Sequence, residues 1–295
     1  MFHGSIVALL TPFAENGGID FQALKGLLSL HVEAGTSAVV IGGTTGESAT
    51  LEPQEFEQLL SEAVRLTAGA MPVIAGTGSA STERAIRQSL KAESLGAAAV
   101  LVVTPYYNRP TQAGLSEHYR AVADAVSIPL IMYNVPSRTS VDLLPQTAAE
   151  LARHRGITGL KEAVADPARI KYIVDHCEPD FDVLSGDDPS CLEAMRAGAR
   201  GVISVAANIV PGHMSELCEA AAVGDWGRAE RINDRLARLY ETLAFETNPI
   251  PVKWAAFEMG LAGPVIRLPL TPLDAKFRDA VGDCLDELQI SRTQK

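Results

Sequence analysis

No stretch of this sequence reaches membrane-spanning length. Its apolar segments all fall short of the ~18 consecutive apolar residues that suggest a transmembrane helix. Basic residues are also in short supply. Among 295 residues, 25 Lys and Arg face 36 Asp and Glu, for a formal net charge of −11. Nucleic acid is bound through clustered Lys and Arg, and no such cluster is present, so a nucleic-acid partner is not expected. The same deficit argues against an anionic membrane surface. Cys177, Cys191, Cys218 and Cys284 stand far apart, with no CxxC pair and no Cys/His ligand spacing. They read as buried or half-buried thiols in a reducing compartment. The opening MFHGSIVALLTPF lacks the basic start and small-residue cleavage site of a secretory signal. A cytoplasmic location is expected.

Short apolar runs rich in Val, Ile and Ala are abundant. SIVALL, SAVVIGG, PVIAGTG, AAAVLVV, PLIMYNV, ITGLKEA, FDVLSG and GVISVAAN are near-continuously apolar rather than alternating. That is the pattern of strands buried on both faces, as in a parallel sheet. Amphipathic segments of helical length lie between them, such as FQALKGLLSLHVEAG and PQEFEQLLSEAVRLTAG, and several close on glycine as helix ends do. Alternating strand and helix allow an open doubly wound sheet or a closed (β/α)8 barrel. Eight runs suit the barrel. The G-x-G-x-x-G of a dinucleotide fold, with its acidic residue about 20 positions on, is missing after the first strand. Beyond VGDWG the strands stop, and RAERINDRLARLYETLAFE, PVKWAAFEMG and LDAKFRDAVGDCLDELQI read as helices. The expected layout is a TIM barrel over residues 1–224 and a helical C-terminal domain over 225–295.

Barrel enzymes place their chemistry at the C-terminal strand ends. There the second run ends in GGTTGES, the fourth in TPYYNRP, the fifth in YNVPSRTS, the sixth in GLKEA, the seventh in SGDD and the eighth in VAAN. Lys161, in a chain with only seven lysines, has two readings: a strand-end ammonium bending into solvent, or an amine that forms an imine with a carbonyl substrate. GGTTGES offers backbone N–H groups and two hydroxyls that suit a small carboxylate, or is simply a tight turn. Tyr106 and Tyr107 read as rim aromatics at an interface, Tyr133 as a core tyrosine, and Arg138 as a solvated charge or a fork for a carboxylate. His3, His31, His118, His154, His176 and His213 fall on helices, loops or the terminus, so no metal site and no metal-dependent aldolase are indicated.

Taken together, AVVIGGTTGES, TPYYNRPTQAGLSEHY, YNVPSRTS, GLKEA, LSGDD and NPIPVKWA resemble the dihydrodipicolinate synthase family, within the pyruvate-dependent Schiff-base lyases. The similarity runs from GSIVALLTPF to RLPLTP. It implies condensation of pyruvate with L-aspartate 4-semialdehyde, on the diaminopimelate route to lysine, without a cofactor. It implies that Lys161 forms the Schiff base, that Tyr133, Thr44 and Tyr107 make a proton relay, and that Thr45 binds the pyruvate carboxylate. Ile203 would touch pyruvate through its backbone, and Arg138 would grip the semialdehyde's carboxylate. The resemblance further implies a homo-oligomer, a tetramer built from tight dimers in which the Tyr-Tyr loop crosses the dimer interface. The alternative is a sister aldolase for a sugar acid such as N-acetylneuraminate or 2-keto-3-deoxygluconate, against which YYNRP and Arg138 speak.

The sequence departs from the family at one place. Lysine-inhibited members carry histidines and a glutamate in a pocket near Tyr106, where this chain has Pro53, Phe56, Ala80 and Arg84 and keeps Ser48 and Ala49. An arginine facing a lysine ammonium repels it. Weak or absent inhibition by lysine is expected.

Overall fold

A computed structural model describes residues 2–293. Eight parallel strands close into a barrel: β1 (Gly4–Ala8), β2 (Ala38–Ile41), β3 (Val73–Gly76), β4 (Ala99–Val103), β5 (Leu130–Asn134), β6 (Ile157–Glu162), β7 (Asp182–Ser185) and β8 (Gly201–Ser204). All eight coincide with the apolar runs of the sequence. Closure is made by β1 against β8, with Gly4 opposite Gly201. A side chain on Gly201 would begin 2.1 Å from the Gly4 carbonyl oxygen, so the seam cannot accept a larger residue there.

Successive side chains alternate between two buried layers, which explains why the strands look uniformly apolar. Ile6, Val40, Ile74, Leu101, Ile131, Leu184 and Ile203 fill the barrel interior. Their neighbours Val7, Val39, Val100, Met132, Leu160, Val183 and Val202 face the helical shell. The same alternation turns Tyr133 inward.

Helix starts follow local chemistry. Asp20 accepts hydrogen bonds from the Gln22 and Ala23 N–H groups to cap helix 21–33. Glu52 and Glu55 form a capping box before helix 53–67. After β8 comes helix Pro211–Ala222, which packs on β1 as the last helix of the barrel shell, and then helices Trp226–Thr242, Ile250–Glu258 and Ala275–Glu287. The helix at 250–258 packs on the short turn Ala206–Asn208 at the end of β8. The C-terminal helices therefore reach the face of the barrel where the strands end.

Two histidines are buried in this shell. His31 Nδ1 lies 2.9 Å from the Thr36 hydroxyl and His118 Nδ1 2.9 Å from that of Thr82, while both Nε2 atoms lack partners among the described residues. Burial pushes both imidazoles down to about 4. In the unfolded chain they titrate near 6.5, so across the window between these values the unfolded state binds protons that the fold refuses. Stability is complete above the window and falls as pH drops through it, by up to roughly 3 kcal/mol per ring. His31→Gln, which cannot titrate, is expected to flatten the pH slope of urea-unfolding free energy relative to wild type. An unchanged slope would show that His31 does not contribute.

Candidate active site

β5 and β6 lie in register, with Tyr133 opposite Lys161 and Asn134 opposite Glu162. One residue of each strand faces the interior and the next faces the helices, so the two strands build a site on one side and its support on the other. Inside, Lys161 is 5% exposed and its Nζ lies 4.3 Å from the centre of the Tyr133 ring. Among the described residues it makes no ion pair. Gly186, in the SGDD loop after β7, leaves the room this side chain needs: a Cβ there would lie 3.0 Å from Lys161 Cε and 2.9 Å from Ala163 Cβ.

Outside, the Asn134 amide donates to both Glu162 oxygens at 3.0 and 3.1 Å and to Asp142 at 2.8 Å. Arg169 donates to Glu162 at 2.8 Å and forks onto Asp142 at 2.7 and 3.0 Å. Burial raises the Glu162 carboxyl above its ordinary value, and the Arg169 charge opposes that shift. This paired network clamps β5 to β6 directly behind Tyr133 and Lys161. Removing one member would leave a buried charge uncompensated.

The loop after β2 carries Thr44, half-buried, and Thr45, 1% exposed. Glu47 follows in left-handed backbone at φ 54. Its carboxylate pairs with Lys253 in a buried ion pair and accepts the Arg267 N–H at 3.0 Å. Burial lowers Lys253 from its usual range, while Glu47 holds it up. Lys253 is thus a second buried lysine, but one already engaged. Asn248 donates to the Thr45 hydroxyl at 3.0 Å, and its carbonyl accepts from Arg138 at 3.1 Å. Arg138 itself is exposed.

The remaining expected residues divide. Ile203 lies inside the barrel on β8, 1% exposed. Tyr107 is not brought to the site: it stands 92% exposed, at φ 72, with Tyr106 beside it at 45%. The loop bearing them is tethered by Asn108, whose amide donates to the Ala80 carbonyl at 2.8 Å. Among the described residues no hydrogen bond joins the Tyr133, Thr44 and Tyr107 hydroxyls. The SGDD carboxylates turn to structural tasks. Asp187 accepts from Ser190, and Asp188 accepts the Val205 and Ala206 N–H groups at 3.0 and 2.8 Å, burial raising it. No group of three His, Cys, Asp or Glu among the described residues is placed to hold a metal ion.

Asn248, Glu47, Lys253 and the Asn134–Glu162–Arg169–Asp142 cluster were not singled out as functional from the sequence. Lys253 did appear within NPIPVK, but its partner lies 206 positions away, and no local pattern announces such a pairing. At the variant pocket positions, Phe56 is half-buried with its ring over Gly42, where a Cβ would lie 2.5 Å away, and Arg84 is exposed. Glu83 is turned to Arg87, 3.0 Å away along the same helix.

Comparison with known proteins agrees with this architecture. The sequence matches the Dihydrodipicolinate synthetase family over residues 1–288. A 4-hydroxy-tetrahydrodipicolinate synthase of Methylococcus capsulatus is 51% identical over 281 residues, covering 95% of this chain and 97% of the relative. That of Nitrosococcus oceani is 49% identical over 290 residues, covering 98% and 99%. The crystal structure of the dihydrodipicolinate synthase from Acinetobacter baumannii, in complex with pyruvate, superposes with a TM-score of 0.97 at 47% identity, covering 99% of this chain and 100% of that one. A closed eight-stranded barrel, a buried lysine beside a tyrosine and a whole-length match of this kind place the chain in the dihydrodipicolinate synthase family.

Proposed function

We propose that this chain carries out the reaction for which its relatives are named, the condensation of pyruvate with L-aspartate 4-semialdehyde. One observation carries the mechanism: among the described residues Lys161 is buried beside Tyr133 without a carboxylate partner, whereas Lys253, equally buried, is tied to Glu47. A buried amine with no counter-ion is suited to nucleophilic attack.

The steps follow from that placement. The Lys161 nitrogen attacks the keto carbon of pyruvate, protons move through the Tyr133 hydroxyl, and water leaves to give the imine. The imine withdraws electrons, so a methyl proton departs and an enamine forms without a metal. The enamine carbon attacks the aldehyde carbon of the semialdehyde, and the resulting oxyanion takes a proton. The acceptor's amino group then replaces Lys161 at the imine carbon, which closes the ring and frees the enzyme. In this reading Thr45 holds the pyruvate carboxylate, Ile203 borders pyruvate through its backbone, and Thr44 joins Tyr133 and a Tyr107 from a second copy in the proton relay. Arg138 receives the semialdehyde's carboxylate.

A coupled assay with pyruvate, aspartate semialdehyde and a downstream reductase tests the proposal, alongside neutral sugar aldehydes as rival acceptors. Arg138→Ala is expected to lose a charge-assisted contact of about 1.5–3 kcal/mol, roughly 10–150-fold in kcat/KM for the semialdehyde. Pyruvate imine formation should survive. Equal losses for both substrates would make Arg138 structural, and preference for a neutral sugar aldehyde would overturn the assignment of acceptor.

The altered pocket near Tyr106 bears on regulation. Phe56 occupies space against Gly42, Arg84 adds a positive charge, and Glu83 is engaged by Arg87. Millimolar L-lysine is therefore expected to leave the condensation rate nearly unchanged in the same assay. Strong inhibition at low lysine would show that Ser48, Ala49 and Tyr106 suffice to bind it.

A further inference from the structure

Asn248 lies outside the barrel in sequence, between helices 226–242 and 250–258, yet it touches two groups of the proposed site. Its Nδ2 donates to the Thr45 hydroxyl oxygen at 3.0 Å and its backbone carbonyl accepts from Arg138 at 3.1 Å. Its own Oδ1 is buried without a partner among the described residues. A hydroxyl carries one proton and two lone pairs. When its oxygen accepts from an amide N–H, its own proton is left to donate elsewhere. If the neighbour were only an acceptor, the proton would turn toward that neighbour and a lone pair would face the substrate. A carboxylate is bound by the first arrangement and repelled by the second. The orphaned Oδ1 fits this account, because the amide is turned so that its donor rather than its acceptor meets Thr45, at the cost of one unsatisfied oxygen.

We propose that Asn248 is a positioning residue that sets the Thr45 hydroxyl as a hydrogen-bond donor to the pyruvate carboxylate, while its carbonyl steadies Arg138 for the second substrate. The inference rests on the assignment of Thr45 to the pyruvate carboxylate made above. The loop does not depend on Asn248 alone for its place, since Glu47 is independently tied to Lys253 and Arg267. Changing the Asn248 side chain therefore alters the polarity of the contact while leaving the loop anchored and the residue's carbonyl present.

The test compares Asn248→Ala and Asn248→Asp by the pyruvate concentration that half-saturates borohydride trapping, and by KM for both substrates in the coupled assay. Trapping at saturating pyruvate reports the folded, competent fraction of each variant. Alanine is expected to raise the pyruvate half-saturation about three- to tenfold, with the semialdehyde KM changed by less than about twofold. Aspartate is nearly the same shape but offers no donor, so it should accept the hydrogen bond of the Thr45 hydroxyl and raise the value more than about tenfold. A purely structural role predicts the reverse order, with the isosteric aspartate milder than alanine, and that order would overturn the proposal. In a Thr45→Val background the aspartate effect should largely vanish. Its persistence would mean simple repulsion between the introduced carboxylate and pyruvate, and would also overturn it. If Thr45→Val leaves pyruvate half-saturation unchanged, the assignment of Thr45 itself fails. If Thr45→Val raises it and neither Asn248 variant does, only the role of Asn248 fails.

Discussion

Lys161→Ala is expected to abolish borohydride trapping of pyruvate and to reduce turnover by on the order of 10³-fold or more, the scale on which loss of a covalent nucleophile is felt. In wild type, borohydride with pyruvate should reduce the imine to a stable secondary amine, locating one adduct by peptide mass analysis on residue 161. The chain provides its own control. Lys253 is 3% exposed and Lys161 5%, so burial alone does not choose between them. Lys253 is committed to Glu47 and lies 4.3 Å from the centre of the Phe13 ring. To attack a carbonyl it would have to break its ion pair, surrender a proton and leave Glu47 as an unpaired buried carboxylate. Lys161 has no ion pair to break among the described residues and leaves no buried carboxylate stranded. An adduct on Lys253, or trapping that survives in Lys161→Ala, would defeat the assignment. The substitution should leave the fold intact, because the hydrogen-bonded side-chain cluster behind β5 and β6, made by Asn134, Glu162, Arg169 and Asp142, lies on the opposite side of the sheet.

Much of this architecture was legible in the sequence, and the reason differs from residue to residue. The strands could be located because both of their faces are buried, which makes them continuous apolar runs. The same continuity hid which side chains point inward. Nothing in ITGLKEA says that Lys161 enters the barrel while Glu162 joins an ion cluster behind it. SGDD marks a strand end, yet its carboxylates serve the backbone of Val205 and Ala206 and the side chain of Ser190, because the buried N–H groups after β8 need acceptors. Asn248 and Lys253 carry no local signal for another reason. Their partners Thr45 and Glu47 lie 203 and 206 positions away, and only the packing of helix 250–258 onto the end of β8 brings them together. Tyr107 is the opposite case. Its motif was prominent in the sequence, but the single folded chain leaves it far out in solvent.

That exposure leads to the second large effect, complementation between two crippled subunits. Tyr107 is 92% exposed and Tyr106 45%, on a loop after β4 that Asn108 tethers to Ala80. Tyr107 and Arg109 both hold positive φ, at 72° and 48°, a backbone state that non-glycine residues adopt at some cost and that surrounding structure must sustain. A loop held in this shape to present two adjacent large aromatics to solvent has the character of a contact surface. If the contact is a second copy of this chain across a two-fold axis, each copy receives the other's Tyr107. Lys161→Ala and Tyr107→Phe proteins, co-expressed with different tags and purified as mixed dimers, separate the alternatives. In a shared arrangement, the barrel of the Tyr107→Phe subunit keeps its own Lys161 and receives an intact Tyr107 from its partner. The other barrel has neither. One site of two is restored, and activity should rise to about half that of wild type. If Tyr107 serves its own barrel, every site in the mixed dimer stays impaired, and the activity is the average of the two parents. The second result would remove Tyr107 from the partner's relay and leave the Schiff-base role of Lys161 untouched.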